Sequence, residues 1–375
     1  MKNSIAMKKY ILAISSSLIA LTLNAASVWH DPMDAKIPNI HGRAWNAEIG
    51  GKYDRMPLRW QEKASASVRE LSHHTAGLYV RFKTDSPCIS VKYLLGGGMA
   101  NYANINPQCH SGVDLYAIDG KGREHWVANC MKWRFGRTAK DTSTVRFTEI
   151  DYKAFGGGVM TFDLYLPTYN SITMMKIGVE EDAHFEFVEP DTERPIVVYG
   201  TSIAQGASAS RPALTWGARL QRELRVPVYN LGFSGSAKME PEMFDMLSEI
   251  DARVFVIDCI PNSHGHSDST FVARFTYGIR KIRSASDAPI IIMDSNAPCT
   301  AQLQTESYRQ SHHLDELQAK TIKELSRSGI KKLYHISNER LGTHESDLVE
   351  AYHPTDSGME KYAKAYMKVL KRLLN

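Results

Sequence analysis

Ser202 follows two residues after the glycine that ends Pro195-Ile196-Val197-Val198-Tyr199-Gly200. A serine hydroxyl is a weak nucleophile unless a base takes its proton. His353 is such a base, because an imidazole with an unperturbed pKa near 6.5 works at neutral pH. Three residues earlier stands Glu350, a carboxylate that could hold the imidazole in one tautomer and stabilise the imidazolium. Asp347 is a second candidate for that role. The negative oxygen of a tetrahedral intermediate needs donors, and three are on offer: the backbone N–H groups of Ser202 and Gly235 and the side-chain amide of Asn262. Losing one such donor typically costs about 10²–10³ in rate. Glycine at 235 lets the backbone approach closely without a Cβ in the way. This inventory is a hydrolytic one.

Each residue also has a plainer reading. Ser202 could cap a helix, Asn262-Ser263 could make a turn, and His353-Pro354 could be a loop ahead of a helix. What favours chemistry is their order along an alternating series of elements. After Glu193, apolar strand-like runs recur at Ile196–Tyr199, Val228–Leu231, Val254–Asp258, Ile290–Met293 and Leu333–Ile336. Helical spacing fills the gaps, at Thr215–Leu224, Met243–Ile250, Phe271–Ile282 and Leu314–Leu325. Met359, Tyr362, Tyr366, Met367 and Leu370 share one face of a closing helix. Strands alternating with helices specify a parallel sheet covered on both faces. The polar residues after its first three strands must then meet at one edge, the carboxyl edge where open α/β sheets bind ligands.

The first half is built differently. Leu78, Val80 and Phe82 alternate with polar neighbours, as do Ile89, Val91, Tyr93 and Leu95, then Phe162, Leu164 and Leu166, then Met175, Ile177 and Val179. Period two over short runs predicts antiparallel strands in a sandwich or jelly roll. Two loops interrupt it, Gly96-Gly97-Gly98 running on through Tyr102, Asn104 and Asn106, and Cys109-His110-Ser111-Gly112. Plainly read they are sandwich turns. More sharply read, one end of the sandwich leans over Ser202 and shapes a substrate pocket. His110 reads as a surface or supporting histidine, not a catalytic one.

The chain has 375 residues, 43% hydrophobic and 23% charged, enough for two globular domains. Lys2, Lys8 and Lys9 precede the apolar run Ile11–Leu23, and Ala25-Ala26-Ser27 follows. That order is a secretory leader over residues 1–26, too short in its apolar part for a comfortable membrane span. Export to the periplasm or medium is the expectation, with no stable membrane insertion after leader removal. Three of the lysines behind the formal charge of +4 lie in that leader, so the remainder is near neutral and nucleic acid is a poor partner. The cysteines at 88, 109, 130, 259 and 299 are odd in number and widely spaced, with no zinc pattern. Cys109 and Cys130 could pair in an oxidising compartment. His264, His266 and Asp268 are a loose alternative metal set. Nothing in the pattern specifies an oligomeric state.

At these residues the chain resembles the SGNH hydrolase superfamily, also called GDSL esterases. The family's serine, glycine, asparagine and histidine blocks correspond to Ser202 in Gly-Thr-Ser-Ile, Gly235 in Asn-Leu-Gly-Phe-Ser-Gly, Asn262, and His353 before Pro354. The likeness is closest to a branch with a GxDLY-type β-sandwich in front, matched by Gly112-Val113-Asp114-Leu115-Tyr116. Gly-Thr-Ser-Ile-Ala-Gln-Gly with Ala209-Ser210-Arg211-Pro212, and Lys238-Met239-Glu240-Pro241-Glu242-Met243, also resemble that branch. Behind the leader, the resemblance implies a sandwich over 27–190 and a flavodoxin-like three-layer α/β hydrolase over 191–375. It implies metal-free and cofactor-free hydrolysis of acyl esters, O-acetyl groups on a carbohydrate above all. Two positions depart from the family pattern. Thr201 replaces the aspartate of the first block, and Glu350 stands where aspartate is usual. The competing reading is a carbohydrate-binding protein with a degenerate, weakly active hydrolase domain.

Overall fold

The computed structural model describes residues 27–98, 102–130, 142–296 and 305–374; the leader read over residues 1–26 lies outside them. The first half carries the short strands β1 (Ser27–His30), β2 (Ile40–His41), β3 (Tyr79–Thr84), β4 (Ile89–Leu95) and β5 (Asp114–Ile118). After them come β6 (Glu124–Asn129), β7 (Ser143–Phe147), β8 (Met160–Tyr165), β9 (Ile172–Glu180) and β10 (Phe185–Phe187). They form two antiparallel sheets, ordered β1-β9-β4-β7 and β10-β3-β8-β5-β6, with β2 beside β3. The alternation visible in the sequence supplies the core. Val80 and Phe82 from one sheet and Val91, Tyr93 and Ile177 from the other are buried in a single cluster.

The second half is the parallel sheet. Its strands are β11 (Ile196–Gly200), β12 (Val228–Gly232), β13 (Val254–Asp258), β14 (Ile290–Met293) and β15 (Leu333–Ile336), in the order β12-β11-β13-β14-β15. Val197 and Tyr199 pack on one face with Met243, Phe244, Phe271 and Phe275. Ile196 and Val198 pack on the other with Trp216, Leu220, Tyr362 and Tyr366. The helices that provide these residues are α3 (Trp216–Leu224), α4 (Pro241–Leu247), α5 (Asp268–Ala285) and α7 (Asp356–Leu374); α6 (Thr305–Arg327) joins the first face. Two short helical elements precede them at the sites of interest, α1 (Pro107–Ser111) and α2 (Ser202–Gln205).

Short helices interrupt the mostly strand-like first half. Leu58–Gln61 and Ala66–Ser72 are helical, and Met56, Trp60, Val68 and Leu71 are buried in the core of the parallel sheet rather than the sandwich. Val68 and Leu71 are three apart and so share a helix face.

The two halves are locked by the aspartate of the GxDLY motif. Asp114, fully buried, accepts from Arg211 Nη1 at 2.6 Å, Trp126 Nε1 at 2.9 Å and the Ala213 N–H at 3.2 Å. Arg211 lies over the Trp126 ring at 4.4 Å and donates to the Tyr116 hydroxyl. The next residue back, Ser210, donates its N–H and hydroxyl to Asp356 at the start of α7. A buried ion pair is weak evidence for net stability, but removing one partner strands the other charge, at a cost of about 3–5 kcal/mol. Asp114→Ala should therefore lower the urea midpoint sharply. The double variant Asp114→Ala/Arg211→Met should lose much less than the two singles together. Additive losses would show that the pair is not coupled.

Candidate active site

Gly200 pairs with Gly232 of β12 on one side and Asp258 of β13 on the other. The three chain segments that follow therefore leave the sheet at the same edge, as the βα pattern requires. The Thr201 N–H donates to the Asp258 carbonyl at 3.1 Å, and the Thr201 hydroxyl accepts from the Ile203 N–H at 3.4 Å. Thr201, not Ser202, is thus the cap of α2. The aspartate position of the family's first block is filled by another residue able to cap. Ser202 is the first helical residue, where an N–H has no acceptor inside the helix. Its hydroxyl is left for another partner.

That partner is His353. Ser202 Oγ and His353 Nε2 are 2.7 Å apart. On the other side of the ring, Nδ1 meets Glu350 Oε1. Glu350 is itself held: the Tyr352 N–H donates to Oε2 at 2.9 Å and Asn104 Nδ2 to Oε1 at 3.1 Å. Burial raises its pKa, but these donors and His353 bring it below the usual carboxylate range. The loop that carries both residues is closed on itself by Val349 N–H to His353 C=O at 2.8 Å and tied to the β14 end by Asn296 Nδ2 to Tyr352 C=O at 2.9 Å. Asp347, the alternative acid, is not on the histidine. It accepts from the His344 N–H, the Ser357 hydroxyl and Lys361 Nζ at 2.6–2.8 Å. Burial pushes its carboxyl up, but Lys361, His344 and Ser357 hold it at about 2. It braces the start of α7.

Gly235 sits at φ +65°, a left-handed backbone that suits glycine, and no atom lies within 4 Å of where a Cβ would project. Among the described residues no hydrogen bond uses its N–H. One N–H of the Asn262 amide holds the Phe233 carbonyl at 3.3 Å. The amide has a second N–H to give elsewhere. Gly232 has a different reason to be glycine: a Cβ there would lie 2.3 Å from the Gln205 backbone nitrogen, so β12 and α2 touch.

Several residues of the site carried no signal of their own. Asn104 lies in a loop that the sequence picks out, but its tie to Glu350 spans 246 residues of chain and leaves no local trace. The loops from the sandwich do reach the serine. Ser208, in the left-handed region at φ 70°, donates its hydroxyl to the Asn104 carbonyl at 2.6 Å. The Tyr169 hydroxyl donates to the Ser202 carbonyl at 3.4 Å. Tyr102 packs edge-on against Tyr169, and His110, only 2% exposed, stacks on the same ring. His110 is therefore a buried wall residue, not a surface one, and burial pushes its pKa down to about 4. No disulfide joins Cys109 and Cys130. Cys109 packs with the parallel sheet, 3.2 Å from the Thr168 hydroxyl, and Cys130 with the sandwich. The loose metal set does not assemble: His266 Nε2 meets the Lys238 carbonyl and Asp268 pairs with His313. Among the described residues no group of three His, Cys, Asp or Glu could hold a metal ion.

Family profiles match both halves of the chain. The profile described as the GDSL-like Lipase/Acylhydrolase family matches residues 193–371. The GxDLY profile, described as the N-terminus of Esterase_SGNH_hydro-type, matches residues 27–185. Among solved structures, a protein from Bacteroides ovatus ATCC 8483 assigned as a GDSL-like lipase is 29% identical, with a TM-score of 0.82 over 93% of this chain and 98% of its own. The salicylyl-acyltransferase SsfX3 from a tetracycline biosynthetic pathway is 18% identical, with a TM-score of 0.73 over 93% and 98%. A family two carbohydrate esterase from Clostridium thermocellum in complex with cellohexaose is 16% identical, with a TM-score of 0.52 over 80% and 93%. The last two share the fold. A search of curated proteins finds no match.

Asp258, paired with Gly200 across β11 and β13, is 1% exposed, and its carboxyl accepts from the Tyr366 hydroxyl at 3.2 Å. Burial pushes it up to about 7, against 3.8 when unconstrained. As pH rises from about 4 to 7 the unfolded chain ionises this group while the folded one does not, so stability falls across that window and levels off above it. Asp258→Asn cannot ionise. The difference in melting temperature, variant minus wild type, should climb between pH 4 and 7 and then stay flat. A difference independent of pH would show that Asp258 is not a buried neutral acid.

Proposed function

We propose that this chain, which belongs to the GDSL-like lipase/acylhydrolase family of SGNH hydrolases, is an exported serine esterase that removes acyl groups, O-acetyl above all, from a carbohydrate. The observation that carries the reading is the unbroken hydrogen-bond series Ser202–His353–Glu350. Ester hydrolysis itself follows from family membership; the acyl group, the carbohydrate, the residue roles and export are our inference.

Ser202 Oγ attacks the ester carbonyl while His353 Nε2 takes its proton. Glu350 accepts from Nδ1–H and stabilises the imidazolium. The carbonyl oxygen, now negative, takes hydrogen bonds from the Ser202 and Gly235 N–H groups and the second amide N–H of Asn262. His353 returns its proton to the departing alcohol, leaving an acyl-serine. Water then repeats the sequence from the other side, releasing the acid and restoring Ser202. Every step uses groups of the chain, substrate and water.

Export is supported by the basic, apolar and small-residue order of the first 26 residues. Among the described residues no helix is long and apolar enough to cross a membrane. A carbohydrate substrate is supported by the carbohydrate esterase that shares the fold and by the sandwich loops bordering the serine, where Tyr102 leaves an aromatic surface 44% exposed.

With p-nitrophenyl acetate, wild type should show an acyl burst and Ser202→Ala should lose at least about 10³-fold in kcat. Equal turnover by the two would remove Ser202 as nucleophile and favour a binding module with a degenerate site. Ser234→Ala is the control for the neighbouring serine. Acetate release from acetylated polysaccharides tests the substrate class. Glu350→Gln should cost about 10²–10⁴ in kcat with little change in melting temperature. Asp347→Asn should do the reverse, lowering the melting temperature with a smaller loss of rate. A larger rate loss for Asp347→Asn would exchange the two roles.

A further inference from the structure

Arg55 is 1% exposed, and none of the ion pairs among the described residues involves it. Its guanidinium is spent on backbone carbonyls instead. Nη1 donates to Asn230 at 3.0 Å and Gly232 at 2.8 Å, Nε to His74 at 2.8 Å and Nη2 to Leu71 at 2.6 Å. The plane lies 4.7 Å over the Phe233 ring. Asn230 and Gly232 are two apart and so expose their carbonyls on one side of β12, the edge strand of the sheet. A rigid fork of donors suits such a row. A buried cation without a carboxylate is expensive, and this one is placed where β12 turns toward Gly235.

His74, whose carbonyl Arg55 holds, reaches the same turn by a second route. The Ser234 N–H donates to Gln205 Oε1 at 2.9 Å, which fixes the orientation of that amide. Gln205 Nε2 then donates to the Thr168 carbonyl at 3.0 Å and to His74 Nδ1 at 3.2 Å. Nδ1 must therefore be a lone pair and His74 neutral. Burial and the neighbouring Arg55 agree, pushing its pKa down to about 3.

These contacts fall on consecutive peptide planes. The 232–233 plane is pinned through its carbonyl by Arg55 and through its N–H by the Gly200 carbonyl, at 2.8 Å each. The 233–234 plane is pinned through its carbonyl by Asn262 and through its N–H by Gln205. The next plane carries the Gly235 N–H. We propose that Arg55 and His74 are positioning residues for the oxyanion donors, holding the 232–234 backbone so that the Gly235 N–H and the Asn262 amide meet one oxygen. The inference rests on the esterase reading above. It gives the N-terminal segment 55–74 a part in turnover.

Oxyanion donors act on the transition state, so misplacing them should lower kcat rather than raise KM. The test uses the full chain with p-nitrophenyl acetate, active sites counted by the acyl burst, and phenylboronic acid as a tetrahedral mimic on Ser202. Arg55→Lys and His74→Phe should each reduce kcat per counted site about tenfold or more, leave KM within about threefold, and weaken phenylboronic acid by a factor close to the kcat loss. His74→Phe leaves all of Arg55's donors in place and carries the test if Arg55→Lys does not fold. A reduced fraction of active sites with wild-type turnover and boronate affinity per site would reduce both residues to fold stability and overturn the proposal. No Ser202-dependent burst in the wild type would instead defeat the esterase reading.

Discussion

The hydrogen bond between Ser202 and His353 joins residues 151 positions apart, and neither end is held by local structure alone. Ser202 sits at a strand end whose place is set by the register of three parallel strands. His353 sits in a loop with no strand beneath it. That loop needs fastening at both ends, which the polar residues around it provide: Asn296 on the Tyr352 carbonyl, Asp347 on the first turn of α7, Ser210 on Asp356. A displacement of about 1 Å in such a pair can cost on the order of 10²-fold in rate. The density of single hydrogen bonds at this edge is what that tolerance demands.

The sandwich takes part in the same fastening. Arg211, which holds Asp114 of the sandwich, is the immediate neighbour of Ser210, which holds Asp356. The sandwich interface and the start of α7, three residues beyond the histidine, are thus held by consecutive residues. Asn104 reaches Glu350 from the sandwich side and is itself held by Ser208, two residues past the glycine that ends α2. The GxDLY motif therefore marks a joint: its aspartate is buried against the hydrolase half, and the tyrosine two residues on accepts from the same arginine.

The sequence made the sheet, its helices and the residues of the four blocks legible because each rests on a local pattern. Ile196–Gly200 is apolar and β-branched, Trp216, Leu220 and Leu224 repeat at helical spacing, and glycine stands where the backbone must turn. Arg55, His74, Asn104 and Gln205 rest on no such pattern. Each is a single polar residue whose meaning comes from a partner brought near by the fold, even where, as with Asn104 and Gln205, it lies in a recognisable loop or motif. The short helices at 58–61 and 66–72 were missed because their few apolar residues, Trp60, Val68 and Leu71, pack on the far half of the chain. The pairing of Cys109 with Cys130 was left open by spacing and closed by packing, since the two belong to different cores.

Glu350 shows how the structure absorbs a departure from the family pattern. A glutamate has one more methylene than aspartate and one more rotatable bond to freeze, so used alone it would orient an imidazole less sharply. Here the extra freedom is removed at both oxygens. The Tyr352 N–H takes Oε2, in a turn that folds the side chain back over its own backbone, and Asn104 shares Oε1 with the imidazole. Asn104 Nδ2 is also 3.1 Å from His353 Nδ1. Because Nδ1 must give its proton to Glu350, the amide serves the carboxylate and only borders the ring. The longer acid is thus paired with a loop residue from the sandwich. In this chain the surroundings of the His353 ring come from the first half as well as the second.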